Sequence, residues 1–173
     1  MVHSDTNSEV IRAKVEQFII HELDLLDVRN FEHWMDLFAD DGCYWAPTTI
    51  DQVSPAKQVS IFYDDKDLMR KRITRLRHER IHSQIPHSRT VHMLSGLQVV
   101  SSGQSNAREA PIVTRANFLM VEYRPSVPEG IQRVFSGRYE HHLRPFNDSF
   151  KIAMKKATLV NCDSVFSPLA IYF

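Results

Sequence analysis

The chain has 173 residues with 21 basic and 21 acidic side chains, a formal net charge of zero, so no field of one sign gathers nucleic acid or an anionic membrane. At 43% hydrophobic and 24% charged residues the composition is that of a globular protein, and no apolar run approaches the ~20 residues of a membrane span. One cytoplasmic domain over residues 1–173 is expected, since residues 1–9 carry no export signal and Cys43 and Cys162 are too few for a disulfide scaffold.

Thr6 with Glu9 three residues on forms a capping box. Val10, Ile11, Val15, Phe18, Ile19, Leu23 and Leu26 follow at helical spacing, which predicts a first helix of about five turns. Asn30 is the expected N-cap of a shorter second helix with Phe31, Trp34, Met35 and Phe38 on its apolar stripe, ending near Asp40-Asp41-Gly42. Residues 43–47, aromatic and bounded by Gly and Pro, suit a short strand, and residues 48–55 have turn composition. Asp64 and Asp67 open a third helical segment whose later turns carry Arg70, Lys71, Arg72, Arg75 and Arg77, with Leu68, Ile73 and Leu76 on its buried side.

From Arg89 the period becomes alternating. Val91, Met93, Ser95, Leu97 and Val99 share one face, and Thr90, His92, Leu94 and Gln98 the other. Further strands are expected at 112–123, 131–144 and 150–160, joined by hairpin-type turns and therefore antiparallel. In the middle one Ile131, Phe135, Tyr139 and Leu143 line a buried face. Gln132, Ser136, Arg138, Glu140, His142 and Arg144 line a face that is either wet or an interface. Helices first and a meander afterwards predict an α+β fold, with N-terminal helices packed on a curved, mainly antiparallel sheet to form a cone.

Three constellations could carry chemistry. His78-Glu79-Arg80-Ile81-His82 fits H-E-x-x-H, two imidazoles one helical turn apart for zinc and a Glu to activate water. A zinc hydrolase also needs a third ligand on a rigid element, whereas the chain runs on to Pro86 and a strand, and the nearby acid Glu109 sits in a Ser-rich turn. A solvated or subunit-facing helix end is the preferred reading. His87 and His92 with Asp64 or Asp67 have the donor types of a two-histidine, one-carboxylate iron site, but a Pro-flanked loop and an alternating strand do not hold both rings together. Asp24, Asp27, Tyr44, His92 and Asn117 are the types that move protons inside a cone, the basis of an isomerase or dehydratase reading. The competing reading makes Asp24 and Asp27 the polar end of the first helix and Tyr44 and His92 satisfied interior groups. Neither cysteine has the paired Cys-x-His and Cys-x-x-His spacing of a Rieske cluster, and no Gly-rich phosphate loop occurs among five glycines.

Several stretches together resemble the small (beta) subunit of aromatic-ring-hydroxylating dioxygenases. They run from Leu25-Leu26-Asp27 through Trp34 to Tyr44-Trp45-Ala46-Pro47, then Ile61-Phe62-Tyr63-Asp64-Asp65 with Arg72 and Leu76, and Pro86-His87-Ser88-Arg89-Thr90-Val91-His92. Phe135-Ser136-Gly137-Arg138, Leu143-Arg144, residues 150–163 and residues 169–173 continue the likeness in order, so nearly the whole chain is covered. Gly96 stands where the family usually has Asn, and Val91 where a basic residue is frequent.

The resemblance implies a nuclear-transport-factor-like (cystatin-like) cone, a fold shared with ketosteroid isomerase and scytalone dehydratase. It also implies a non-catalytic assembly subunit, trimeric within a three-plus-three hexamer, of an enzyme that adds O2 to an aromatic ring to give a cis-dihydrodiol. The Rieske [2Fe-2S] cluster and mononuclear Fe(II) then belong to the large (alpha) subunit, supplied from NAD(P)H through a reductase, and this chain holds no catalytic, cofactor or metal residue. Arg72, Arg75, Arg89, His92 and Arg138 become the candidate subunit contacts, because a guanidinium pairs bidentately across an interface.

Overall fold

The structure, a computed structural model, describes residues 2–78, 86–101, 111–125 and 129–173, with side chains from residue 8 onward except at 101. Helix α1 (Val2–Asp27) begins four residues before Thr6, so Thr6 lies within it and does not cap it. Val15, Phe18, Ile19, Leu23 and Leu26 are buried as their spacing predicts, while Val10 is half exposed. The helix stops where Arg29 turns left-handed (φ 59°) and the amides of Arg29 and Asn30 close back on the carbonyls of Leu26 and Leu25.

Helix α2 (Phe31–Asp36) is shorter than its apolar stripe suggests. Asn30 sits at its N-cap, but the Asn30 side chain accepts from His33 Nδ1 (2.7 Å) instead of from the helix backbone. Phe38 belongs to strand β1 (Phe38–Pro47), which is twice the expected length, because the backbone after α2 is recruited by a neighbouring strand: Ile152 N–H donates to the Leu37 carbonyl at 2.9 Å. Strand β2 (Ser60–Asp65), not expected from the sequence, pairs antiparallel with β1 and sets Phe62 against Ala46. Helix α3 (Lys66–Arg77) is capped by Asp65, whose carboxylate accepts from Leu68 N–H at 2.8 Å. Asp64 therefore lies in β2 and not at the helix start, and the buried positions are Met69, Ile73 and Leu76 while Leu68 is turned outward.

Strands β3 (Arg89–Ser101), β4 (Ile112–Arg124), β5 (Ile131–Phe146) and β6 (Ser149–Leu159) form the expected antiparallel meander. The six strands take the order β2-β1-β6-β5-β4-β3, with β1 parallel to β6 and every other pair antiparallel. Phe135, Tyr139 and Leu143 face inward as expected, whereas Ile131 at the strand's start is exposed. On β3 the expectation of one continuous apolar face fails. The register against β4 slips between Ser95 and Gln98, so Val91, Met93 and Ser95 face out while Leu97, beyond the slip, faces in.

Gly96 makes that bulge at φ 63°, a conformation that only Gly and Asn adopt readily. Gly96→Val is expected to lower stability by about 1–2 kcal/mol in urea unfolding, and Gly96→Asn by a few tenths. Equal losses for the two variants would show that the left-handed backbone is not what this position demands.

Candidate functional site

The curved sheet and the helices enclose an interior that is filled by the chain itself. Trp34 packs edge-on to Phe38 (4.9 Å between centroids) and against Tyr172 (4.5 Å), and Tyr44 packs against Phe62 and Tyr172. Ile171, Tyr172 and Phe173, beyond β6, lie buried among these rings, and the Phe173 amide donates to the Tyr44 hydroxyl at 3.1 Å. Burial holds Tyr44 and Tyr139 well above the ordinary phenol range, so both stay protonated. A cavity of about 10 Å³ remains beside His92, Ser88, Thr90 and Tyr172, room for one water and not for a ring.

Inside this apolar mass lies a polar cluster that the sequence reading did not single out. Glu22 is fully buried and accepts from Trp34 Nε1 and Lys155 Nζ, each at 2.7 Å, through Oε1, while His141 Nε2 lies 3.3 Å from Oε2. Burial alone would raise Glu22, but the Lys155 ammonium and the His141 ring outweigh it and bring it down to about 2. Burial lowers both Lys155 and His141. Lys155 also sits over the Tyr139 ring at 4.4 Å. The site is a compensated ion pair with every Glu22 contact internal, a structural arrangement more than a reactive one.

Of the five pocket candidates, the fold joins two. Asp27 accepts from His92 N–H (2.9 Å), His92 Nδ1 (2.6 Å) and Thr90 Oγ1 (2.7 Å), tying the end of α1 to the start of β3. Burial opposes ionisation of Asp27, and the His92 hydrogen bonds overcome it, leaving its pKa lowered. His92 Nε2 is buried with no hydrogen-bond partner among the described residues. Asp24 is exposed on α1, Tyr44 is locked to Phe173, and Asn117 is exposed on the outer face of β4, so these three do not share a cavity with the pair. Outward exposure overrides the proton-transfer assignment of Asp24 and Asn117.

The metal candidates are also dispersed. His78 terminates α3 in extended backbone, so the helical spacing that would align H-E-x-x-H is absent at its first residue; Glu79 and His82 lie outside the described residues, as does Glu109. His87 accepts from Arg29 (3.4 Å), Asp67 pairs with Arg70 (2.6 Å), Asp64 is buried against Arg72, and His92 is held by Asp27. No group of three or more His, Cys, Asp or Glu is placed to hold a metal among the described residues. Cys162 is buried beyond β6 and Cys43 turns its thiol toward the Ala153 carbonyl at the β1–β6 junction. Among the described residues the donor set therefore does not fit an iron–sulfur cluster or a ferrous triad.

Among the contact candidates, Arg89 lies over Tyr123 (4.9 Å) and is exposed, and Arg138 is exposed on the outer face of β5 opposite Asn117. Arg72 turns toward Asp64, Arg75 is exposed on α3, and the His92 side chain points inward, fully buried within the chain.

Two signals for the missed cluster exist. Glu22 falls on the stripe of Val15, Phe18, Ile19 and Leu26, and His141 shares parity with Tyr139 and Leu143. Lys155 has none, because a bulge at Ala153 shifts β6 by one residue and swings Lys155 from the outer face to the inner.

Glu22→Gln leaves the Lys155 charge buried without its partner and is expected to lower stability by about 3 kcal/mol or more, whereas Glu22→Gln with Lys155→Met recovers most of the loss. A carboxylate depressed by folding contributes stability above its unfolded pKa near 4.5 and loses it as pH falls through about 2. Acid unfolding of the wild type should therefore carry an extra slope between those values, on the order of 3 kcal/mol in total, that the double variant lacks. Superimposable acid profiles would contradict an ionised Glu22.

Comparison with known proteins agrees with the fold. The chain matches the family described as ring hydroxylating beta subunit over residues 21–164. It is 30% identical over 152 residues to the small oxygenase component of the p-cumate 2,3-dioxygenase system of Pseudomonas putida, covering 87% of this chain and 79% of that protein. The beta subunit of the benzoate 1,2-dioxygenase from Burkholderia mallei superimposes with a TM-score of 0.69 at 23% identity, over 86% of this chain and 90% of that one. An NTF2-like protein with a cystatin-like fold from Novosphingobium aromaticivorans superimposes with a TM-score of 0.56 at 14% identity, over 92% and 88%. The cone fold expected from the sequence is the one observed.

Proposed function

This chain belongs to the ring hydroxylating beta subunit family, and from that premise we propose that it is the assembly subunit of an aromatic-ring dioxygenase, acting as one domain. The observation that carries this reading is the filled interior. Where a cone enzyme needs a pocket, Trp34, Tyr44, Phe62, Tyr172 and Phe173 occupy the space and Glu22, Lys155 and Asp64 are consumed in internal pairs.

In this proposal the Rieske cluster and the mononuclear iron sit in a large partner subunit, electrons come from NAD(P)H through a reductase, and the product is a cis-dihydrodiol. Three copies of this chain support three large subunits in the cytoplasm, and the small subunit acts by holding partner surfaces in register. No helix among the described residues is long and apolar enough to cross a membrane. The outer sheet face supports a role in contact: Val91, Met93, Leu119 and Val134 are exposed there beside Arg138, and Arg89 borders the same strands.

The experiment is co-expression with a Rieske-type large subunit. The expected outcome is a stable complex of equal stoichiometry in light scattering, iron content that follows the large subunit, and a trimer when this chain is purified alone. A monomeric preparation that turns over a small carbonyl or alcohol would overturn it.

A second reading, a cone-pocket isomerase or dehydratase, draws on the Asp27–His92 pair with its unpartnered Nε2. Against it, the adjoining cavity admits only a water. In the assembled dioxygenase Asp27→Asn is expected to leave product formation per assembled complex within about twofold of wild type while lowering stability by about 1–3 kcal/mol. A loss of turnover of a hundredfold or more with the complex intact would favour the second reading.

A further inference from the structure

A cleft of about 190 Å³ opens to solvent between α3 and residues 168–172, lined by Phe62, Arg72, Arg75, Leu76, Leu169 and Ile171. Its polar equipment is built and not incidental. Asp64, fully buried in β2, accepts from the Tyr172 hydroxyl (3.0 Å) on Oδ2, and Arg72 forms an ion pair with the same oxygen through Nε. The Arg72 guanidinium then lies over the Phe62 ring at 5.0 Å. It is thereby held at two points, by the Asp64 carboxylate and by the face of the Phe62 ring.

One turn further along α3, Arg75 lines the rim of the same cleft, exposed and without a side-chain partner among the described residues. The buried Asp64 neutralises Arg72, so Arg75 leaves one uncompensated positive charge beside an apolar floor.

We propose that this cleft is a binding site for a small monoanionic carboxylic acid with a single ring as its body. The size fits: an apolar cavity of about 150 Å³ accepts one benzene ring, and the further volume here matches a carboxylate. The charge fits as well, since a fork of donors fixed in advance loses little rotamer freedom on pairing with a carboxylate. Leu76, Leu169 and Ile171 would cover the ring, and Arg75 would close on the acid. The proposal goes beyond the assembly role and does not depend on it, because every group involved belongs to this chain.

The test is calorimetric titration of the full purified chain, without partner or metal, with benzoate as probe. One saturable site per chain is expected. Benzyl alcohol, which keeps the ring without the charge, and acetate, which keeps the charge without the ring, should each bind at least about tenfold more weakly. Arg75→Ala, at an exposed position that the fold does not need, should weaken benzoate at least about tenfold, with Arg75→Lys recovering part of the loss. Ala170→Trp, which fills the cleft from its far wall, should abolish binding.

Absence of saturation up to about 10 mM benzoate, or an affinity unchanged by Arg75→Ala, would overturn the site. Acetate binding as well as benzoate would also overturn it, since a bare anion patch would then explain the affinity. Each of these failures leaves the assembly role standing, because that role is tested by co-purification with a large subunit.

Discussion

Glu22 and Lys155 join the first helix to the last strand by a charge pair at the centre of the core. One stands near the C-terminal end of the first helix, the other in the last strand, and both are fully buried with 2.7 Å between their charged atoms. An unpaired charge at that depth costs several kcal/mol, so alternative packings that separate the two are heavily penalised. Trp34 and His141, bonded to the same carboxylate, extend the constraint to α2 and β5. Hydrophobic burial supplies the bulk of the driving force, but it is tolerant of slippage; the ion pair fixes which way α1 lies across the sheet.

Two further clips act in the same manner nearer the ends of the cone. Asp27 gathers the backbone and side chain of His92 and the hydroxyl of Thr90, fastening the end of α1 to the start of β3. Asp64 gathers Arg72 and Tyr172, fastening α3 and residues 169–173 to β2. All three carboxylates have the same logic: an acid buried or half-buried at a junction, paired with side chains of other elements. The interior that these carboxylates stabilise is occupied by aromatic rings.

What the molecule offers to partners is consequently on its outside. The outer sheet face mixes exposed Val and Met with Arg138 and the paired Arg115, Glu140 and His142, while α3 presents a run of guanidinium groups. Charge is therefore unevenly distributed although the total is zero, and a neutral chain can still present one basic helix. Arg72 and Arg75 differ from the other cations on that helix in bordering a cleft with an apolar floor, which gives them a recognition geometry that a flat surface lacks.

The helical stripe of α1, the switch to alternation at Arg89 and the order of the four final strands were legible in the sequence because they are local: each depends on a period that neighbouring residues repeat. The family likeness was legible for the same reason, being carried by contiguous motifs. Register and partnership were not. The slip at Gly96 split the continuous face expected on β3, leaving Val91, Met93 and Ser95 outside and Leu97 inside, and the bulge at Ala153 placed Lys155 inside, on a strand whose faces the sequence reading had not assigned. Pairing with β6 ended α2 early and lengthened β1, and β2 formed because β1 was there to receive it. Whether a carboxylate becomes a clip, a cap or a solvated charge depends on which distant side chain reaches it, as Asp24, Asp27, Asp64 and Asp65 show within one chain. Sequence thus determined α1, α3, the four-stranded meander and the family; the tertiary structure decided β2, the boundary between α2 and β1, and which faces lie inside beyond a bulge, because one extra residue in a strand inverts every side chain beyond it.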